Sequence, residues 1–171
     1  MKTKTLSIVG LVVCLLGSVY GQAHAQSAEF PLKINGYFGV LHPIATLQGG
    51  QVTTNFDEAY TVAFPTGINV QRNAGMGFSF EIVPTIKTNS QRSSVSSVAI
   101  QPGIAFPLKN GWTFVNRVSF ETTGRYGITP VISKVIVPGK NAVSCVVPIP
   151  VKFGNQQPAS VTAAVLFTVA L

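Results

Sequence analysis

Few residues of this chain could carry chemistry. Glu81, Arg117, Glu121 and Lys152 each stand in a run where apolar and polar residues alternate, and each falls on the polar parity. Charges placed so either pair with one another or line a path for ions or a small polar ligand. Once removed from water they persist only when paired and hydrogen-bonded. His42 precedes Pro43, and Asp57 and Glu58 follow in the next polar stretch. These are the groups from which a base-assisted hydrolase or acyltransferase acting on lipid at a rim would have to be assembled. No Gly-x-Ser-x-Gly accompanies them, and no His/Cys cluster has metal-ligand spacing. The expectation is therefore no catalytic residue, no metal and no cofactor, with His42 an ordinary rim residue. Gly49-Gly50 is too bare for a phosphate loop and reads as loop flexibility.

The elements that must hold those charges are strands. From 76 to 87, Met76, Phe78, Phe80, Ile82 and Ile86 share one parity and Gly77, Ser79, Glu81, Thr85 and Lys87 the other, which on a strand makes one apolar and one polar face. The same period-two pattern recurs with almost no helical periodicity. It predicts eight strands at 34–42, 61–71, 76–87, 98–106, 112–122, 125–137, 143–153 and 160–171. Most of these match the roughly 9–11 residues with which a tilted strand crosses a bilayer. In the fifth, Trp112, Phe114, Val118 and Phe120 oppose Thr113, Arg117, Ser119 and Glu121. In the fourth, Val98, Ile100, Ile104 and Phe106 oppose Ala99, Gln101, Gly103 and Ala105. In the eighth, Val161, Val165, Phe167, Val169 and Leu171 oppose Thr162, Ala164, Thr168 and Ala170. The polar set is small, as the filled interior of an eight-stranded barrel requires. Lys134 is the candidate charge on the apolar face, near a strand end where its stem could snorkel.

The connections alternate too. Arg72-Asn73-Ala74-Gly75, the stretch from Pro107 to Gly111 and the stretch from Pro138 to Ala142 are short and rich in turn residues. Those at 43–60, 88–97 and 154–159 are longer, with Thr123-Gly124 the exception. Short turns at one rim and longer polar loops at the other suit a membrane barrel. Counted from the short-turn rim, Glu81 and Arg117 lie at matching heights, and so do Glu121 and Lys152. An interior ion-pair network of Glu81, Arg117, Glu121 and Lys152 follows, either ordering the lumen or lining a gated polar path. Against the strands stand Pro65, Pro84, Pro102, Pro130, Pro148 and Pro150, since proline donates nothing to a ladder; bulges are expected there.

Lys2 and Lys4, an apolar run from Leu6 to Tyr20 and Ala23-His24-Ala25 read as a cleaved signal peptide over 1–25, leaving one domain at 26–171. Cys14 leaves with the leader, so Cys145 has no intramolecular partner for a disulfide. Basic residues beyond the leader outnumber acidic two to one but are scattered, which argues against nucleic acid and for anionic lipid head groups.

On the Ala23-His24-Ala25 motif, the eight alternating runs and the closing segment from Val161 to Leu171, the chain resembles small outer-membrane β-barrel proteins of the OmpX type. The resemblance implies an all-β, eight-stranded antiparallel up-and-down transmembrane β-barrel in the cell outer membrane. It also implies contact with outer-membrane lipids, recognition of Val161 to Leu171 by the outer-membrane assembly machinery, and roles from adhesion and envelope integrity to limited permeation. The competing expectation is a soluble lipocalin-like barrel holding a small apolar ligand, with the apolar parity inward and Glu81, Arg117 and Glu121 in water. Trp112, Tyr126 and Phe153, near strand ends, fit an interfacial aromatic girdle.

Overall fold

The computed structural model describes residues 31–56, 59–89 and 91–171. The expected leader over 1–25 lies outside the described residues, as do Asp57 and Glu58.

Strands account for most of the described chain: β1 (Lys33–Gln48), β2 (Gln51–Thr54), β3 (Tyr60–Ala63), β4 (Thr66–Gln71), β5 (Gly77–Thr88), β6 (Ser93–Pro107), β7 (Trp112–Glu121), β8 (Arg125–Val137), β9 (Val143–Pro148), β10 (Val151–Gly154) and β11 (Ser160–Ala170). No α-helix occurs among the described residues. Strands β3 and β4 both pair with β1 and β5, and are two halves of one strand position. In the same way β9 and β10 both pair with β8 and β11. With β2 set aside as a partner of β1 alone, this makes eight antiparallel positions, each bonded to the one before and after it. The ring closes where β1 pairs with β11, from Tyr37 opposite Ala170 to Gln48 opposite Ser160. Closure removes the unpaired edges that an open sheet would expose.

Two expected loops are largely strand. β1 runs on past His42 and folds back into β2, with Ala45 opposite Thr54 and Gln48 opposite Gln51. Gly49 (φ 58°) and Gly50 (φ 80°) make the two-residue turn, whose two positive φ angles favour glycine. Gly49-Gly50 is therefore a hairpin corner rather than a flexible stretch. β5 and β6 likewise pair up to Thr88 opposite Ser93, and Asn89 Oδ1 accepts the Gln91 and Arg92 amides at 3.1 and 3.0 Å to turn the corner. In both places the apolar alternation thins toward the corner, to Leu47 opposite Val52 in the first and Ile86 opposite Val95 in the second. Thr53, Thr54, Ser93 and Ser94 are exposed and polar, so there only the ladder marks the strand.

The prolines divide into two groups. Pro65 lies in the gap between β3 and β4, and Pro150 in the gap between β9 and β10, which Pro148 adjoins. Pro84, Pro102 and Pro130 instead ride within continuous strands, opposite Val98, Phe80 and Asn116. Register shifts occur between Pro43 and Ala45, between Thr85 and Ile86, and between Val135 and Val137. Of the expected bulges, one adjoins Pro84 and none falls at Pro102 or Pro130, while the shift at Pro43 was not among those expected. Carbonyls compensate: Pro65 O accepts the Gly39 amide at 2.8 Å, Pro84 O that of Phe64 at 3.0 Å, Pro130 O that of Ile149 at 2.9 Å and Pro150 O that of Thr162 at 3.0 Å. Each of these prolines forgoes a donor yet stays tied to its neighbour.

The two faces of the ring sort opposite to a water-soluble core. Ser79, Glu81, Gln101, Arg117, Ser119 and Thr129 are buried inside, whereas Phe78, Ile82, Ile100, Phe114, Phe120 and Phe167 are exposed outside. The interior is less uniformly polar than the alternation implied. Ala105, Val115, Val131, Val146 and Leu166 form one apolar cluster, and Ala63, Val83 and Ala99 another, with Leu41 packed against both. These clusters share the interior with the charged residues. On the outside, Lys134 sits opposite Trp112, donates to the Asn110 carbonyl and holds its ammonium 5.3 Å from the indole centroid. Asn116, opposite Pro130, is a second polar residue on the outer face that parity counting passed over.

Candidate functional site

Glu81 sits on β5 and Arg117 on β7, with β6 between them; Gly67 lies opposite Glu81 and Gly103 opposite Arg117. Their side chains meet at 3.5 Å, with only 4% and 6% of their surfaces exposed. A guanidinium and a carboxylate this dry need further partners, and they have them. Tyr37 donates its hydroxyl to Glu81 Oε2 at 2.5 Å and accepts from Arg117 Nη2 at 3.0 Å. Ser79 Oγ accepts from Arg117 Nε at 3.3 Å and Nη2 at 3.1 Å. Phenol, carboxylate, guanidinium and hydroxyl form one closed layer drawn from β1, β5 and β7.

Two glycines make room for it. A Cβ on Gly67 would stand 2.5 Å from the Tyr37 hydroxyl oxygen, and one on Gly103 would stand 2.7 Å from Arg117 Cγ and 2.3 Å from the Asn116 carbonyl oxygen. The Gly67 Cβ would also stand 2.6 Å from the Phe80 carbonyl oxygen, so at both positions the overlap includes backbone.

The second charged pair is Lys152 with Glu121, joined by a direct salt bridge. Glu121 Oε2 also accepts from Thr123 Oγ1 at 3.0 Å. Between the two pairs, Gln101 Nε2 donates to Ser119 Oγ at 3.2 Å. Glu81, Arg117, Glu121 and Lys152 all line one cavity. The structure thus brings them together as two separate pairs on a common wall, not as one four-membered network. Glu81 and Glu121 are the side-chain carboxylates of the described residues, and both are paired inside.

The interior holds two chambers. One, of about 560 Å³, opens toward the long-connection rim and is lined by Lys87, Gln101, Glu121, Thr129 and Lys152 among others. The other, of about 410 Å³, faces the short-turn rim and is lined by Asn69, Thr113, Ser133, Lys140 and Ser144 among others. The two linings share Glu81, Arg117 and Leu166. The charged layer is therefore the partition between the chambers.

His42 stands apart. Its Nδ1 is hydrogen-bonded to the Tyr60 hydroxyl at 2.6 Å, and Phe56 lies tilted against Tyr60 with centroids 6.0 Å apart. No His/Cys/Asp/Glu group of metal-binding size occurs among the described residues.

Sequence reasoning missed Tyr37. A signal was present, since Tyr37 shares its parity with Asn35 and Gly39 on a strand whose other parity carries Ile34, Phe38 and Val40. A tyrosine on the polar face of an otherwise apolar ribbon is a hydroxyl in search of a charge.

No known protein-family model matches the chain, and no curated protein is significantly similar to it. Its reading rests on its own chemistry.

Proposed function

We propose that the chain is an integral outer-membrane β-barrel, non-enzymatic, with a side-chain-filled lumen and a structural, surface-interaction or limited-permeation role. The observation that carries this reading is the inverted sorting of side chains. A continuous outer face bearing Phe38, Phe78, Ile82, Ile100, Ile104, Phe114, Val118, Phe120, Ile128 and Phe167 exceeds what a soluble monomer leaves in water. Hydrocarbon is the solvent that suits it. Trp112 at the short-turn end, and Tyr126 against Phe153 (centroids 6.4 Å apart) at the other, sit where aromatic girdles meet head groups. A lipocalin-like barrel would need those phenylalanines inside and Glu81 with Arg117 in water, the reverse of their placement.

On this reading residues 1–25 are a secretory signal, the long-connection rim with the β1–β2 hairpin faces outward from the cell, and the β11 face of Val161, Val165, Phe167 and Val169 is what the assembly machinery recognises. The architecture is that of the small OmpX-type barrels, and outer-membrane lipid is the partner of the whole outer face. The test is migration of purified protein lacking residues 1–25 in detergent gels with and without boiling. A fast-migrating unboiled form that shifts on boiling, with recovery in the outer-membrane fraction, is the expected result. Recovery in the soluble periplasm with no heat shift refutes the proposal.

A further inference from the structure

We propose that the two chambers are the halves of an anion-selective path, closed at one layer by Tyr37, Ser79, Glu81, Arg117 and Leu166. The inference rests on the barrel reading above and adds to it a solute class and a gate.

Both chambers are built for water. Thr129 Oγ1, in the wall of the larger, and Asn69 Oδ1, in the wall of the smaller, are buried atoms without a hydrogen-bond partner. Such atoms in polar cavities are satisfied by solvent, which occupies about 30 Å³ per molecule in the liquid. Spaces of about 560 and 410 Å³ hold several waters each. The shared residues Glu81, Arg117 and Leu166, with Tyr37 and Ser79 bonded to them, lie between one volume and the other.

The charges on either side of that layer have one dominant sign. The larger chamber is lined by Lys87 and Lys152 against Glu121. Lys140 lines the smaller chamber, and the three short turns of its rim carry Arg72, Lys109 and Lys140. Among the described residues no side-chain carboxylate other than Glu81 and Glu121 offsets them. Arg117 and Glu81 cancel within the layer and Lys152 and Glu121 cancel beyond it, so among the described residues Lys87 and Lys140 set the sign of the two linings, which favours small anions such as chloride.

The layer is closed by specific bonds and not by bulk. Glu81 holds Tyr37 at 2.5 Å, and Tyr37 in turn holds Arg117 at 3.0 Å, across the space an ion would use. Leu166 completes the layer from β11 and is 2% exposed. Displacing the guanidinium from this set joins the chambers.

Planar phospholipid bilayers under a potassium chloride gradient test this with the full mature protein. The wild type is expected to open rarely. Tyr37→Phe combined with Glu81→Gln releases Arg117, and open time should rise roughly tenfold or more, the factor a charge-assisted hydrogen bond is worth in an equilibrium. The reversal potential should lie on the chloride side. Leu166→Ala, which thins the layer without touching a charge, should raise conductance in the same sense and guards against failure of the double variant to fold. Variants that keep the wild-type heat shift yet conduct no more than wild type overturn the proposal, as does a reversal potential on the potassium side. A wild-type protein that neither shifts on heating nor inserts into vesicles overturns the barrel reading itself, and the path with it.

Discussion

Arg117–Glu81 and Lys152–Glu121 are the same kind of bond at two heights of one wall, and their surroundings differ. The first has 6% and 4% of its side chains exposed and is tied by Tyr37 and Ser79. In the second the lysine is 28% exposed and the carboxylate 6%. Burial decides what each can contribute. A dry pair is held less by its mutual attraction than by the penalty of leaving one member alone, while solvent screens a half-wet pair and replaces a lost partner.

Arg117→Leu should therefore be the most damaging change, costing about 3–5 kcal/mol, because Glu81 is left charged and unpaired. The double variant Arg117→Leu/Glu81→Leu should recover much of that loss. Urea unfolding followed by loss of the heat-shifted band measures both, and a double variant as weak as the single one would break the contrast. One residue along β7 the sign reverses. Val118 faces outward, so Val118→Arg should cost about 2–4 kcal/mol in lipid, an arginine being required at one position and rejected at the next. Unfolding from vesicles reports it, and no effect would place that face in water. Tyr37→Phe removes a hydroxyl that serves both members of the dry pair, and should lower stability by about 1–3 kcal/mol. Lys152→Met should be the mildest, about 1 kcal/mol or less, and its effect should shrink further in high salt. If Lys152→Met and Arg117→Leu cost the same, burial is not what separates the pairs.

Much of this arrangement was legible because period-two alternation is insensitive to detail. Counting from the short-turn rim placed Glu81 level with Arg117 and Glu121 level with Lys152, since inward residues on strands running the same way advance together. The same counting was blind to residues that do not alternate. Val115 and Val131 face inward beside the charges, where an apolar side chain breaks the pattern but fills a narrow ring. The hairpin from Ala45 to Thr54 was missed because its alternation rests on little more than Leu47 opposite Val52, amid exposed threonines and glutamines. The prolines misled in a different way. The sequence shows the missing N–H but not that a carbonyl on the same residue keeps its partner. Ser79 was placed on the correct face, yet its contact with Arg117 depends on a height that spacing along one strand does not specify.

The pairing of β1 with β11 bears on biogenesis. The first strand of the ring finds its permanent neighbour only in the last, so until β11 is delivered both ends present bare backbone over a ladder running from Tyr37 to Gln48. Bare strand edges of that length are a template for pairing with other chains. Closure waits on that one pairing, which makes the final strand the one whose loss no other element can replace.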